Sequence, residues 1–140
     1  MSRAGEALRL TLKKDEILRG FRSFSTVLSS GECLRSGSIR CYFLVNLGEP
    51  ADLRAGFGVS RAVRKATKRN RLRRLMREAY RLNRNHFLAR RRADPRGSID
   101  LVFMYIPGAG QTKAEQTHES IERAIAHLLE ELYRRVAGRQ

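Results

Sequence analysis

The sequence predicts an α+β fold, a two-layer α/β sandwich of amphipathic helices packed on a small sheet. Apolar residues recur every three or four positions in three segments, which is the spacing of one helix face. Short β-branched and aromatic runs, typical of strands, lie between those segments. With 140 residues we expect one domain over 1–140, with a flexible segment at 1–10 and a short tail at 138–140.

The first half of the chain predicts a helix followed by two strands. Leu12–Leu28 carries apolar residues at helical spacing and predicts one or two short helical segments, which Gly31 is expected to end. Ile39–Val45 contains no Gly or Pro and suits a strand buried on at least one face. A turn cluster of Asn, Gly and Pro follows, and Ala55–Ser60 predicts a second short strand. We expect these two strands to pair as a hairpin.

The second half predicts a helix, a strand and a final helix. The helix from Lys65 to about Leu88 has one apolar face, formed by Leu72, Leu75, Met76, Ala79, Tyr80 and Phe87. A loop rich in Pro, Gly and charge leads to an apolar run that begins at Ile99 and ends at Pro107, which predicts a buried central strand. Lys113–Ala137 predicts an amphipathic helix that covers one face of the sheet.

Charge narrows the possible partners to polyanions. The formal net charge is +15 and the pI is about 11.2, so either nucleic acid or an anionic membrane surface would neutralise the chain. No stretch approaches the roughly 18 apolar residues of a membrane span, and the amino terminus lacks the apolar core of a signal peptide. Cys33 and Cys41 form neither a disulfide framework nor a metal-ligand pattern with the three histidines. We therefore expect a cytoplasmic nucleic-acid-binding protein with no protein-held metal.

The positive charge is concentrated in one segment. Arg61–Arg92 holds 14 of the 29 basic residues and a single acid, Glu78. A helical wheel places one polar ridge opposite the apolar face, formed by Asn70, Arg73, Arg74, Arg77, Arg81 and Arg84. Ordinary solvated helix faces mix charges of both signs, because like charges four residues apart destabilise a helix. Arginine also clamps phosphate oxygens in pairs, so the ridge predicts a phosphodiester ligand.

The residues of this helix resemble a known family. The string KRNRLRRLMREAYR (68–81), preceded by GVSR (58–61), closely resembles the signature of the bacterial ribonuclease P protein component. The likeness continues in LKKDEILRGFRSFSTVLSSG, IRCYFLV and IDLVFMYIP, and so covers nearly the whole chain. It implies a ribonucleoprotein subunit whose partner RNA, ribonuclease P RNA, cuts the 5′ leader from precursor tRNA, with Mg2+ held mainly by RNA. It also implies an αβββαβα order and a left-handed βαβ crossover, the ribosomal protein S5 domain 2-like fold, against the usual right-handed rule.

The same resemblance assigns two surfaces. The catalytic RNA would contact a basic surface made of Arg61, Lys65, Lys68, Arg69, Asn70, Arg73, Arg74, Arg77 and Arg81. The leader would enter a cleft between the amino-terminal helix and the sheet, where Phe24 and Tyr42 would stack on bases. A plain core role stays open for Phe24, which lies on an apolar helical stripe. Leu28 stands where the family often has an aromatic residue, and Ala62, Arg64 and Lys65 depart from its usual pattern.

Three other functions compete with this one. A structural RNA-binding protein of ribosomal type would share the charge and the fold class. A DNA-binding protein could lay the helix in a major groove, but Asn70 is almost alone on the ridge as a short residue suited to base edges. An enzyme that hydrolyses its substrate with its own side chains needs catalytic groups, and the basic segment holds no pair of carboxylates. We therefore predict no catalytic protein side chain and no obligate protein partner.

Overall fold

The structure, a computed structural model, describes residues 21–46, 52–91, 98–108 and 117–137. Three helices and four strands follow one another within these ranges. They are α1 (Phe21–Ser30), β1 (Glu32–Ser36), β2 (Ile39–Asn46), β3 (Asp52–Val59), α2 (Ala66–Arg91), β4 (Ser98–Tyr105) and α3 (His118–Ala137). The predicted α+β class is confirmed. The parts of the predicted helices at 12–20 and 113–116, and the segments 1–10 and 138–140, lie outside the described residues.

The four strands form one mixed sheet in the order β1-β2-β4-β3. β4 pairs antiparallel with β2 and parallel with β3. The predicted hairpin between β2 and β3 is therefore wrong, because β4 lies between them. The hairpin instead joins β1 to β2 and turns at Gly37, whose φ of 60° favours glycine. β3 reaches β4 through α2, and the left-handed sense of that crossover stays a prediction.

α2 and α3 cover one face of the sheet and bury the main core. Leu72, Met76 and Ala79 of α2 are fully buried, as their helical spacing predicts. Tyr80 packs against Phe103 of β4, with ring centroids 5.7 Å apart. The burial of this face fixes the rotation of α2, so the basic residues opposite it are directed away from the sheet.

α1 lies on the other face of the sheet and adds a partial third layer to the predicted sandwich. Its Val27 packs with Val102 of β4 in a second, smaller apolar cluster. The helix ends at Ser30, beside the predicted stop, and the Gly31 amide donates to the Val27 carbonyl oxygen at 2.9 Å. Tyr42, Leu44 and Met104 on this face are only half-buried, so part of it stays accessible.

Candidate nucleic-acid interface

A tight turn after β3 leads the chain into the basic helix. The Val63 amide donates to the Ser60 carbonyl oxygen at 3.0 Å, and the Ala62 amide donates to the Ser60 hydroxyl at 3.1 Å. Val63 is buried, whereas Arg61 on the same turn is exposed. The turn therefore holds its apolar residue in the core and presents Arg61 beside the first turns of α2.

Arg69 ties α2 to this turn. Its Nη1 atom donates to the carbonyl oxygens of Val63 and Arg64, at 2.8 and 2.7 Å. Charge-assisted hydrogen bonds of this kind are stronger than neutral ones. Arg69 is half-buried and holds the turn through these two contacts, a role that sequence spacing does not reveal.

Replacing Arg69 with alanine is expected to lower the free energy of unfolding by about 1.5–3 kcal/mol, the range for a hydrogen bond to a charged group. Urea denaturation of the chain measures this change. Arg74→Ala is the matched control, because Arg74 is exposed on the same helix and its loss should stay within about 0.5 kcal/mol. Equal losses in the two variants would contradict the tethering role of Arg69.

Three arginines surround one hollow at the end of β3. The hollow has a volume of about 370 Å³ and is lined by Val59, Arg61, Arg69 and Arg73. The Nη1 atom of Arg73 donates to Oδ1 of Asn70 at 2.8 Å, which orients the guanidinium along the helix. No carboxylate lines the hollow among the described residues. Three guanidinium groups around one concavity suit an anion such as a phosphate.

The other residues of the predicted basic surface differ in their exposure and in whether their charge is paired. Arg74, Arg77 and Lys65 are exposed, and Lys68 is half-buried. Arg81 makes a two-point ion pair with Glu78. The hydrogen bond from Arg81 holds the pKa of the Glu78 carboxyl below its ordinary value and raises the pKa of Arg81 itself. Arg81 is therefore partly neutralised and is a weaker phosphate ligand than Arg77.

Arg84 does not belong to the ridge. The helical wheel placed it there, but its side chain is buried. Arg84 sits at the margin of the polar arc, one turn after the buried Tyr80. A helical wheel describes the positions around one helix and does not show which of them other parts of the fold cover.

The structure brings Phe24 and Tyr42 to one side of the sheet. Both are half-buried, and with Leu28, Leu44 and Met104 they surround the cluster centred on Val27 and Val102. Each is thus partly core and partly accessible, which fits both interpretations of Phe24. This accessible region between α1 and the sheet is called the aromatic cleft below.

Gly58 forms part of the floor of the aromatic cleft. A Cβ atom there would lie 2.5 Å from Sδ of Met104 and 3.1 Å from Cζ of Phe24. Any larger residue would displace Phe24 or Met104. Neither Gly58 nor Met104 is among the site residues that the sequence predicts. The alternation of strand residues could have placed Met104 on the opposite face from the buried Phe103.

No group of three or more His, Cys, Asp or Glu residues suited to a metal ion occurs in the part of the chain that the structure describes. Cys33 is exposed and Cys41 is buried, where desolvation raises the pKa of the Cys41 thiol. None of the described helices combines the length and the apolar character that a bilayer span requires.

Comparison with known proteins identifies the family. The sequence model described as Ribonuclease P matches residues 12–129, which includes the turn, the basic helix and the sheet. The chain belongs to the ribonuclease P protein family. The resemblance stated from the signature of α2 is therefore confirmed.

Relatives from several bacteria align over most of the family domain. The chain is 39% identical over 115 residues to the ribonuclease P protein component of Pelotomaculum thermopropionicum, covering 81% of this chain and 93% of that protein. It is 30% identical over 113 residues to the component of Desulfotalea psychrophila, covering 81% and 86%.

Solved structures show the same fold. The RNase P protein of Staphylococcus aureus superposes with a TM-score of 0.62 at 17% identity, covering 85% of this chain and 96% of that one. The RNase P protein of Thermotoga maritima superposes with a TM-score of 0.56 at 25% identity, covering 83% and 96%. The Staphylococcus aureus match bears on the fold alone, because its sequence identity is low.

Proposed function

We propose that the chain is the protein subunit of ribonuclease P, binding the catalytic RNA through α2 and the 5′ leader of precursor tRNA through the aromatic cleft. The observation that carries this proposal is the hollow that Arg61, Arg69 and Arg73 line, with no carboxylate of the described ranges beside them. Membership of the family supports the choice of RNA as the polyanion. The cytoplasm, where bacterial precursor tRNA is made, is the compartment that this function implies.

The basic helix would bind the catalytic RNA through its phosphates. Arg74 and Arg77 are exposed, and Arg73 lines the hollow, so three guanidiniums within two turns can reach a phosphodiester backbone. Lys65 and Lys68 lie at the start of the same helix and extend the positive surface. Binding through phosphates releases counterions, so affinity should fall steeply as salt increases.

The aromatic cleft would hold the unpaired leader. Phe24 and Tyr42 offer ring faces to bases, and stacking tolerates any sequence because every base has a π-face. The protein would thereby hold two polyanions together and offset the repulsion between them. This predicts its largest benefit at low Mg2+, where few metal ions are present to screen that repulsion.

The proposal gives no chemical step to a protein side chain. The residues around the hollow are cationic and carry no carboxylate within the described ranges, so they do not fit a divalent cation. We assign the Mg2+ of the reaction to the RNA and the substrate. The contribution of the chain is to bind and orient the RNA partners.

Reconstitution tests this function directly. The chain is mixed with a bacterial ribonuclease P RNA at low Mg2+, and cleavage of the 5′ leader from a precursor tRNA is measured. We expect cleavage to be restored under conditions in which the RNA alone is inactive. A structural RNA-binding protein of ribosomal type would leave the cleavage unchanged, and that result would reject the proposal.

A further inference from the structure

Two arginines face each other across the β1–β2 hairpin. Arg35 of β1 and Arg40 of β2 are direct Cα partners in the antiparallel register, one pair away from the turn at Gly37. Arg35 is exposed and Arg40 is half-buried. We call these two residues the hairpin arginines.

The hairpin arginines lie on the same sheet face as the aromatic cleft. Side chains alternate along a strand, so Arg40 shares a face with Tyr42, two residues later. On β1 the alternation turns Glu32 to the opposite face, where its carboxylate accepts from Nη1 of Arg135 on α3 at 3.3 Å. The acidic residue of the hairpin therefore lies on the sheet face that α3 covers, and its two arginines lie on the face of the cleft.

This pair of like charges costs stability unless an anion is present. Like charges directly opposite each other on neighbouring strands are destabilising. Among the described residues neither guanidinium has a carboxylate within ion-pair distance. Arg54 on the same sheet face shows the ordinary arrangement, with its Nε atom 3.0 Å from Oδ1 of Asp100. Two guanidinium groups side by side suit a phosphate, which can accept hydrogen bonds from both.

One row of residues connects the hairpin arginines to the rest of the site. Gly58 pairs with Met104, Met104 pairs with Arg40, and Arg40 pairs with Arg35, so these four cross the whole sheet in line. Neighbouring strands lie about 4.8 Å apart, which puts Arg35 roughly 14 Å from Gly58. Gly58 directly precedes Val59 at the three-arginine hollow. A single strand leaving the hollow over Phe24 would therefore reach the hairpin arginines on the far side of the cleft.

We propose that Arg35 and Arg40 bind backbone phosphates of the 5′ leader after it has crossed the aromatic cleft. The inference rests on the proposed function, and it adds a second phosphate-binding site on the face of the sheet opposite α2. The ligand is the phosphodiester of single-stranded RNA. Leaders too short to cross the sheet would not reach this site, so the contribution of the hairpin arginines depends on leader length.

The test compares two precursor tRNAs in the reconstituted holoenzyme, one with a single-nucleotide leader and one with a leader long enough to cross the sheet. The variant is Arg35→Gln with Arg40→Gln, which removes both charges and keeps a polar side chain at each position. We expect its affinity for the long-leader precursor to fall about tenfold, with the salt slope smaller by about 1.4, the value for two single-strand phosphates. Affinity for the short-leader precursor and for the catalytic RNA should not change.

The matched control is Arg123→Gln with Arg134→Gln, which removes the same charge from exposed positions on α3. Its affinity for the long-leader precursor should equal that of the wild type. The hairpin variant should melt at or above the wild-type temperature, because it loses a like-charge pair. This separates a binding defect from a folding defect.

Three results would overturn the proposal. If the hairpin variant keeps the wild-type gain for the long leader, the arginines do not bind it. If it loses affinity equally for both precursors, or for the catalytic RNA, the arginines contact another part of the complex. If the wild type itself shows no gain for the long leader, the leader cleft of the proposed function is wrong and this proposal falls with it.

Discussion

Replacing Arg73 and Arg77 together by alanine is expected to weaken assembly with ribonuclease P RNA at least tenfold and to leave the fold intact. Arg73 lines the hollow, and Arg77 is exposed one turn further along α2. A hydrogen bond to a charged group contributes about 1.5–3 kcal/mol, so losing one such contact already lowers affinity by about tenfold or more. The dissociation constant of the protein with the RNA, measured at several salt concentrations, checks this.

The salt dependence distinguishes a phosphate contact from a change of shape. Each phosphate that is no longer neutralised should reduce the slope of log affinity against log salt by about 0.7–0.9. The double variant should therefore lose about 1.4–1.8 from that slope, with no shift in its melting temperature beyond what exposed substitutions cause. Arg123→Ala with Arg134→Ala removes the same charge from exposed positions on α3 and serves as the control. Full activity of the Arg73 and Arg77 double variant at low Mg2+ would show that the ridge does not bind the RNA.

The apolar face of α2 was predictable because local spacing determines it. Leu72, Met76 and Tyr80 fall on one side of any regular helix, and burial of that side fixes where the remaining residues point. The properties of α2 that its spacing did not predict depend on residues outside the helix. The burial of Arg84 depends on packing by other parts of the fold, and the hydrogen bonds of Arg69 depend on the path of the preceding turn. Neither is determined by the periodicity of the helix itself.

The positions of the strands in the sequence could be predicted better than the partners with which they pair. Ile39–Val45 lies within β2, whose observed range is Ile39–Asn46, but its partners are β1 and β4 and not β3. Sequence signals indicate hairpins between neighbours, whereas β3 pairs in parallel with β4 through the intervening α2. The residue pattern alone did not indicate β1, a strand included only in the order that the family resemblance implies, because Glu32–Ser36 is short and has polar residues on its exposed side, as edge strands often do.

The aromatic cleft was predicted from family resemblance and not from periodicity. Phe24 and Tyr42 are 18 positions apart in the sequence, and only the tertiary fold places α1 over the strand that carries Tyr42. The role of Gly58 also needs the fold, since it depends on the closeness of Phe24 and Met104. Long-range packing determines which residues form the floor of a cleft between layers, and a single sequence does not show that packing.

Replacing Tyr42 by alanine is expected to weaken binding of precursor tRNA by the holoenzyme by about 5- to 150-fold, the equivalent of 1–3 kcal/mol for one stacked base. Tyr42 is half-buried beside Val102, so its ring is held in place by the apolar cluster while one side stays accessible. A ring that is fixed before binding loses little entropy when a base stacks on it. Affinity for precursors with a long leader and with a single-nucleotide leader measures the effect, which should appear with the long leader.

Two further variants separate stacking from packing. Tyr42→Phe keeps the ring and removes the hydroxyl, so it should retain nearly all of the leader-dependent affinity. Tyr133→Ala removes a ring of the same size from α3, where Tyr133 packs edge-on to Phe87 at 6.3 Å, and should change stability without changing leader dependence. Crosslinking from position 42 should reach the leader, since the ring lies in the cleft. Crosslinks confined to the catalytic RNA, or an equal loss of affinity in the Tyr133 variant, would show that Tyr42 is a packing residue of the sheet and not a platform for the leader.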